Sequence, residues 1–185
     1  MLEIRRQHRI SLNLRKCIFC VSFGILLGHI VCKEGMLVDP TNIALIVNLP
    51  PPTNVKQLGM TLGHMGYYRK FIRGYVAITM PMEKLLKKYV QIKLSHECQG
   101  SIDTLNKNMV ATPILVSSYW MKEFLVHVDA SSIALGMVLV QSGEGDIDHL
   151  IYFSSQKLSY VEKNYTTNKR EGLVMVYALQ NFLHY

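Results

Sequence analysis

Three consecutive prolines, Pro50-Pro51-Pro52, constrain this chain more than any other feature. None has a backbone N–H to donate and each fixes its own φ, so neither a helix nor a central strand runs through them. The hydrophobic pattern changes across this stop. Before it, Cys17–Val31 is a nearly unbroken apolar run rich in Phe, Ile and Val, with Gly24 able to break it. That predicts a hairpin of Cys17–Leu26 and Leu27–Cys32, ending in a turn at Lys33-Glu34-Gly35. Asp39-Pro40 starts another turn. After the stop, Thr53 or Asn54 is placed to cap a helix. Val55, Leu58, Leu62 and Met65 recur at helical spacing and predict one buried stripe. Gly59, Gly63 and Gly66 interrupt that helix, each at about 1 kcal/mol against Ala, and close helix packing is the expected reason. A second helix is expected from Pro81 to Tyr89, with Leu85 and Leu86 inside. A third covers His96–Met109 and is stopped by Pro113.

Beyond Pro113 the period becomes two. Phe124–Ala130, Ala134–Gln141 and Leu150–Ser155 read as strands, with Gly143–Asp148 as a hairpin loop. Thr166 or Thr167 caps a last helix. Its expected main stripe is Leu173, Val176, Tyr177 and Gln180, with Val174 and Ala178 beside it. The chain therefore reads as α+β: a hairpin, a helical middle, then a three-strand meander crossed by a helix.

Charge divides the same way. The net charge of the 185 residues is +7. Residues 54–93 hold eight basic residues against Glu83 alone, which equals the whole net charge. The last third, 124–185, has four basic and six acidic residues. Such asymmetry predicts two different jobs, and the basic block predicts an anionic partner. With 18% charged and 49% apolar residues the chain is no disordered tail. Four cysteines are too few for a disulfide scaffold. Cys17, Cys20, His29 and Cys32 have a spacing that could hold zinc, but the apolar residues between them fit buried strands better. Arg5, Arg6, Arg9, Arg15 and Lys16 ahead of Cys17–Val31 imitate a signal or anchor. The run is 15 residues, short of the roughly 20 that cross a bilayer.

Two constellations carry chemistry. Tyr67, Tyr68, Arg69, Lys70 and Arg73 interleave aromatic rings with cations, a pattern suited to phosphates and to sugars or bases. Asp129 shares a strand face with Leu125 and His127 by period two. A helix over that face would bring Glu171, expected in its first turn, close to Asp129. Two converging carboxylates can hold divalent metal, and two metals can clamp an in-line phosphoryl displacement.

The set of motifs resembles the polymerase-to-ribonuclease H stretch of Ty3/gypsy-type retrotransposon Pol polyproteins, nearly end to end. Leu12-Asn13-Leu14-Arg15-Lys16-Cys17 and Leu27-Gly28-His29-Ile30-Val31 are similar to the end of the palm and its primer-gripping hairpin. Gln57-Leu58, Leu62-Gly63 and Tyr67-Tyr68-Arg69-Lys70-Phe71-Ile72 are similar to the thumb. His96-Glu97-Cys98-Gln99 and Pro113-Ile114-Leu115 are similar to the connection. Asp129-Ala130-Ser131, Ala134-Leu135-Gly136, Ser155-Gln156-Lys157-Leu158 and Arg170-Glu171 are similar to the start of ribonuclease H.

The resemblance implies three parts: residues 1–39 as the end of the palm, 40–123 as thumb and connection, and 124–185 as an incomplete RNase H-like domain. It implies that Leu27, Gly28, His29, Tyr67, Tyr68, Arg69, Lys70, Arg73 and Gly136 meet nucleic acid. It implies Asp129 and Glu171 as catalytic, Mg²⁺-binding carboxylates. The expected partner is an RNA–DNA hybrid or primer–template duplex, with the rest of a Pol polyprotein, and no membrane. The family's polymerase motif, Tyr-x-Asp-Asp, is not in the sequence. The third and fourth ribonuclease H carboxylates are expected beyond residue 185, and so is the strand that pairs beside Phe124–Ala130. This chain by itself is therefore expected to lack polymerase activity and to have little or no nuclease activity. Leu94, Thr61, Gly59, Gly66 and Gln156 depart from the family's usual residues and read as drift. Two rivals stand beside this reading: a non-catalytic nucleic-acid-binding remnant, and a membrane or secreted protein led by Cys17–Val31.

Overall fold

The computed structural model describes residues 2–86, 95–143, 145 and 147–185. Its first sheet is a three-stranded antiparallel meander of β1 (Phe23–Leu26), β2 (His29–Cys32) and β3 (Gly35–Val38). The hairpin turn is Leu27-Gly28, with φ of 48° and 75°. Two successive residues at positive φ match the twist of a two-residue hairpin. The hairpin is therefore shorter than its apolar run: residues 17–22 lie outside the strand. Lys33-Glu34 turns the chain into β3, a strand the periodicity missed because it is only four residues long.

Asp39-Pro40 begins a helix and not merely a turn. Helix α2 (Pro40–Val47) has proline in its first turn, and the Asp39 carboxylate accepts from the Thr41 N–H at 2.9 Å. A short amino-terminal helix, α1 (Leu2–Gln7), precedes all of this. Helix α3 (Val55–Tyr67) starts as expected, with the Asn54 side chain accepting from the Gln57 N–H at 2.9 Å. Leu58 and Met65 are buried, but Val55 is 43% exposed and leaves the stripe. Thr61 joins the buried face instead, with its hydroxyl satisfied by the Gln57 carbonyl at 3.1 Å. Close packing does not explain Gly59 or Gly63, because a Cβ at either would meet nothing within 4 Å. Only Gly66 has a close neighbour, the Tyr75 hydroxyl at 3.2 Å.

Helix α4 (Tyr75–Leu85) begins six residues before the expected start and carries Pro81 inside it. Tyr75, Thr79 and Met82 give it a buried face that outweighs the hydrogen bond Pro81 removes. Leu85 and Leu86 pack against the core as expected. The expected extension over 87–89 lies outside the described residues. Helix α5 (His96–Val110) matches its expectation and buries Cys98, Ile102, Leu105 and Met109.

The second unit is a meander of β4 (Leu125–Ala130), β5 (Ala134–Ser142) and β6 (Asp148–Lys157), covered on one face by α6 (Thr167–Phe182). Val174, Ala178 and Phe182 are the buried row of α6, packed on Leu135, Met137 and Leu139. The expected stripe is thus rotated. Leu173 and Tyr177 flank the buried row, while Val176 is 50% exposed. Among the described residues β4 has a partner on one side only, the open edge expected from the sequence.

A short extended segment joins the two sheets. Leu115 exchanges both backbone hydrogen bonds with Met36 on β3, at 2.7 and 2.9 Å. Its neighbour Val116 donates to the Leu150 carbonyl on β6 at 2.8 Å. Helix α4 adds a second joint: the Val76 N–H donates to the Ser155 hydroxyl, and Lys157 pairs with Glu83 at 2.7 Å.

Two glycine substitutions should therefore move stability in opposite directions. Gly35 has a φ of 140°, and a Cβ there would collide with the Leu115 carbonyl oxygen. Gly35→Ala is expected to cost at least about 2 kcal/mol and lower Tm by roughly 4–8 °C. Gly59→Ala is expected to gain about 0.5–1 kcal/mol, because it removes a helix-interior glycine from open space. Thermal melts of both variants check this.

Candidate nucleic-acid interface

The two stretches that sequence alone held apart, Leu27-Gly28-His29 and Tyr67–Lys70, meet in one place. The Tyr67 hydroxyl donates to the Leu27 carbonyl at 2.8 Å, and the Tyr68 hydroxyl donates to the Gly28 carbonyl at 3.4 Å. Gly28 is needed twice over. Its φ is 75°, and a Cβ there would sit 2.7 Å from the Tyr68 hydroxyl and 3.0 Å from the Asn42 side-chain nitrogen. His29, 6% exposed, lies among the rings of Tyr67, Tyr68 and Phe71, with centroids 5.4, 5.5 and 5.6 Å away. Its Nδ1 donates to the Leu27 carbonyl at 2.9 Å, while Nε2 is buried without a partner. A proton on Nε2 would be a buried, unpaired N–H. Burial, and the nearby Lys70 ammonium, accordingly hold the ring's pKa below its ordinary value.

The roles within this cluster divide by exposure. Tyr68 is core, so its ring is not free to stack on a base, and burial raises its pKa. Lys70 is half-buried, and its ammonium lies 3.1 Å from the Met36 sulfur and 5.4 Å from the Phe71 ring centre. Burial lowers its pKa. Tyr67, Arg69 and Arg73 remain exposed, as does Leu27 at the tip of the turn. Asn42 on α2, which carried no signal in the sequence, lines a groove of about 410 Å³ with Leu45, His64, Tyr67 and Tyr68.

Asp129 occupies a different setting from the expected one. Its β-partner is Gly136, and a Cβ at Gly136 would touch Asp129 at 3.7–3.9 Å. The next pair, Ala130 with Leu135, belongs to the face under α6. Side chains alternate along a strand, so Asp129 and His127 point to the opposite face. There they line a cleft of about 170 Å³ with Arg73, Gly136, Phe153 and Ser154. Glu171 is exposed on α6, and it is the helix's fifth residue, past the first turn. The Arg170 guanidinium donates to the Ser131 carbonyl at 2.9 Å, which ties this end of α6 to the end of β4. The two acids thus reach the same end of the sheet, but α6 does not cover the face that bears Asp129. His127 pairs instead with Asp148 at 3.2 Å.

Metal sites fare accordingly. Among the described residues no group of three or more His, Cys, Asp or Glu side chains converges. Cys17, Cys20, His29 and Cys32 do not form the zinc set that their spacing allowed: the His29 Nδ1 is engaged by Leu27, and the Cys32 thiol donates to the Gly35 carbonyl at 3.4 Å. Asp129 and Glu171 are two acids, and among the described residues no third His, Cys, Asp or Glu joins them as a divalent metal's ligand set calls for. No helix of the described residues is long and apolar enough to cross a membrane.

A sheet with α6 on one face, joined to a helical unit that cradles a hairpin turn, defines a class. Residues 94–185 belong to the family described as RNase H-like domain found in reverse transcriptase. The chain is 38% identical over 177 residues to the retrovirus-related Pol polyprotein from transposon 297 of Drosophila melanogaster, covering 95% of this chain and 16% of that protein. It is 33% identical over 187 residues to the polyprotein from transposon opus of the same fly, covering 95% of this chain and 18% of that protein. It is 29% identical over 185 residues to the transposon Tf2-3 polyprotein of Schizosaccharomyces pombe, covering 100% of this chain and 14% of that protein. This chain spans less than a fifth of these relatives. The fold is similar to foamy viral protease-reverse transcriptase in complex with RNA/DNA hybrid, with a TM-score of 0.77 and 18% identity over 88% of this chain and 22% of that one. A second structure of that enzyme, in complex with dsDNA, gives a TM-score of 0.78 and 18% identity over 89% of this chain and 34% of that one. The family match begins at residue 94, so it includes α5 and the joining segment as well as the second sheet.

The buried, neutral His29 gives a pH prediction. Its folded pKa lies below the unfolded value of about 6.5, so acid protonates the unfolded state first. Stability is expected to be full above that value and to fall as the pH drops below it. Urea midpoints at pH 7.5 and 5.5 should differ for the native protein. His29→Gln should be less stable at both but lose that part of the pH difference.

Proposed function

We propose that this chain is the thumb-and-connection segment, with the first part of an RNase H-like domain, of a retrotransposon reverse transcriptase/ribonuclease H polyprotein. In this reading it holds an RNA–DNA hybrid or primer–template duplex by its phosphates. The fastening of the Leu27-Gly28 turn to Tyr67 and Tyr68 carries the reading. It presents a rigid turn beside exposed Tyr67, Arg69 and Arg73, so chain and cations approach a duplex as one surface. Phosphate contacts of this kind need no sequence readout. The shallow minor groove of a hybrid suits a turn tip better than a long side chain. Lys70 contributes packing more than grip, since its ammonium is directed at Met36.

The same reading makes the chain a binder that does not cut. Asp129 and Glu171 are the family's first two metal-binding carboxylates by resemblance. Mg²⁺ chemistry enters only where further carboxylates complete the set, so no step is assigned to the metal. Gly136 leaves Asp129 open to an approaching backbone, and Arg73 lines the same cleft. This supports a gripping role for the cleft.

Binding of a short RNA–DNA hybrid at several salt concentrations tests the proposal. Affinity is expected to fall steeply with salt, and Arg69→Ala with Arg73→Ala should lower the log–log slope by about 2. A flat salt response in the native chain would overturn the gripping role. With Mg²⁺ added, no hybrid cleavage is expected. Robust cleavage that Asp129→Asn abolishes would overturn the non-cutting part.

A further inference from the structure

One groove is lined by both units of the fold and is used by none of the roles above. It has a volume of about 390 Å³ and is lined by Met36, Lys70, Leu115, Val116, Ser117, Ser118, Trp120, Ile151, Tyr152 and Tyr185. Three observations make it more than a crease between packed elements.

The first is electrostatic. Lys70 is the groove's one cation, and no Asp or Glu lines it. Its ammonium has a thioether as its hydrogen-bond acceptor, at 3.1 Å. Sulfur in a thioether accepts weakly, and an ammonium has three protons to place. Among the described residues Lys157 pairs with Glu83 and the Asp148 carboxylate is hydrogen-bonded to His127, so Lys70 has no carboxylate of its own there. A half-buried cation without a counter-charge is unfavourable until an anion meets it.

The second is an aromatic wall. Trp120 is 63% exposed, yet its ring is stacked on Tyr185 at 6.0 Å and 19°, with Phe124 edge-on at 5.9 Å. The third is the way Trp120 is held. The side chain of buried Gln141 grips the turn on either side of it. Its amide oxygen accepts from the Tyr119 N–H at 2.9 Å, and its amide nitrogen donates to the carbonyls of Tyr119 and Lys122 at 2.9 and 3.1 Å. An exposed indole on a clamped turn is preorganised to meet a flat partner. Ser117 and Ser118 lie on the same lining and offer hydroxyls.

We infer that this groove binds a mononucleotide unit, with its base against the Trp120 face and its phosphate on Lys70. The volume falls in the range of small-ligand sites, and base–aromatic stacking with one charge-assisted phosphate contact is the chemistry these side chains supply. The site is independent of the duplex surface at Leu27, Arg69 and Arg73, and it stands without the proposal made for that surface.

The first measurement needs no label, because Trp120 is the chain's single tryptophan. The full chain is titrated with adenosine monophosphate, adenosine and inorganic phosphate while Trp120 fluorescence is followed. Adenosine monophosphate is expected to quench saturably. Adenosine should bind about tenfold more weakly or worse, and inorganic phosphate should displace the nucleotide. Lys70→Gln should weaken the nucleotide by about tenfold and bring it level with adenosine. Trp120→Leu, followed by equilibrium dialysis of labelled nucleotide, gives a readout that does not depend on Lys70 variants folding, and it should lose binding. Absence of a saturable signal overturns the inference. So does equal binding of adenosine and its monophosphate, or unchanged nucleotide binding in a folded Lys70→Gln or Trp120→Leu protein. Hybrid binding is measured with a separate ligand, so either surface can fail while the other stands.

Discussion

The pair of backbone hydrogen bonds between Met36 and Leu115 holds the two units of this structure in register. Leu115 acts as a one-residue strand on the edge of the first sheet. Val116, one residue on, ties the same segment to Leu150 in the second. A bridge of single residues has little cooperativity of its own, so its surroundings must fix it. They do so through Gly35, which lets the Leu115 carbonyl approach closer than any side chain would allow, and through burial of Leu115 at 4% exposure. The joints from α4 to Ser155 and Lys157 then set the rotation about that line. Everything that lies between the units follows from this: the Asp129 cleft with Arg73, and the groove that holds Lys70 and Trp120.

The hairpin turn obeys a similar logic on a smaller scale. Leu27 sits at positive φ, a strained choice for a leucine, and it is 77% exposed. Both features cost stability if the turn is free. They persist because tyrosine hydroxyls from the end of α3 hold the carbonyls of Leu27 and Gly28, and because His29 fills the aromatic pocket behind them. Strain retained under external constraint is a pattern of functional sites. The same tyrosines explain why the basic motif is only partly exposed. A motif that packs the core on one side and offers cations on the other looks uniform in sequence and is divided by the fold.

Most of the helices and all three strands of the second sheet were legible in the sequence, because periods of 3.6 and 2 are long-lived signals there. The cap at Asn54 was local chemistry that a side chain announces, whereas the cap at Ser95 came only with the structure. What sequence hid has physical reasons. β3 is too short for periodicity to register, and Asp39-Pro40 reads equally as a turn or as the start of α2. Thr61 could enter the core because its hydroxyl is satisfied within its own helix turn. The stripe of α6 was rotated by one position because Val174 and Val176 are equally apolar, and only the packing partner chooses between them. For the site, residue types were legible and their faces were not. Period two grouped Asp129 with His127 correctly, but which sheet face a helix covers is a tertiary fact. Gln141 and Trp120 carried no signal at all, since a buried amide clamp depends on a turn twenty residues away in sequence.

Arg73 belongs to one unit and Asp129 to the other, yet they line the same cleft. Arg73 leads into α4, and α4 is pinned to β6 by Glu83 and Lys157. Arg73 therefore stays on the lining it shares with Asp129 for as long as the two units stay joined. A cation on the lining of a cleft attracts a phosphate that enters it. The joint between the two units thus decides whether Arg73 and Asp129 line one cleft. A chain in which that joint were loosened would separate Asp129 from Arg73 and, at the same step, part the surfaces that the two units present together.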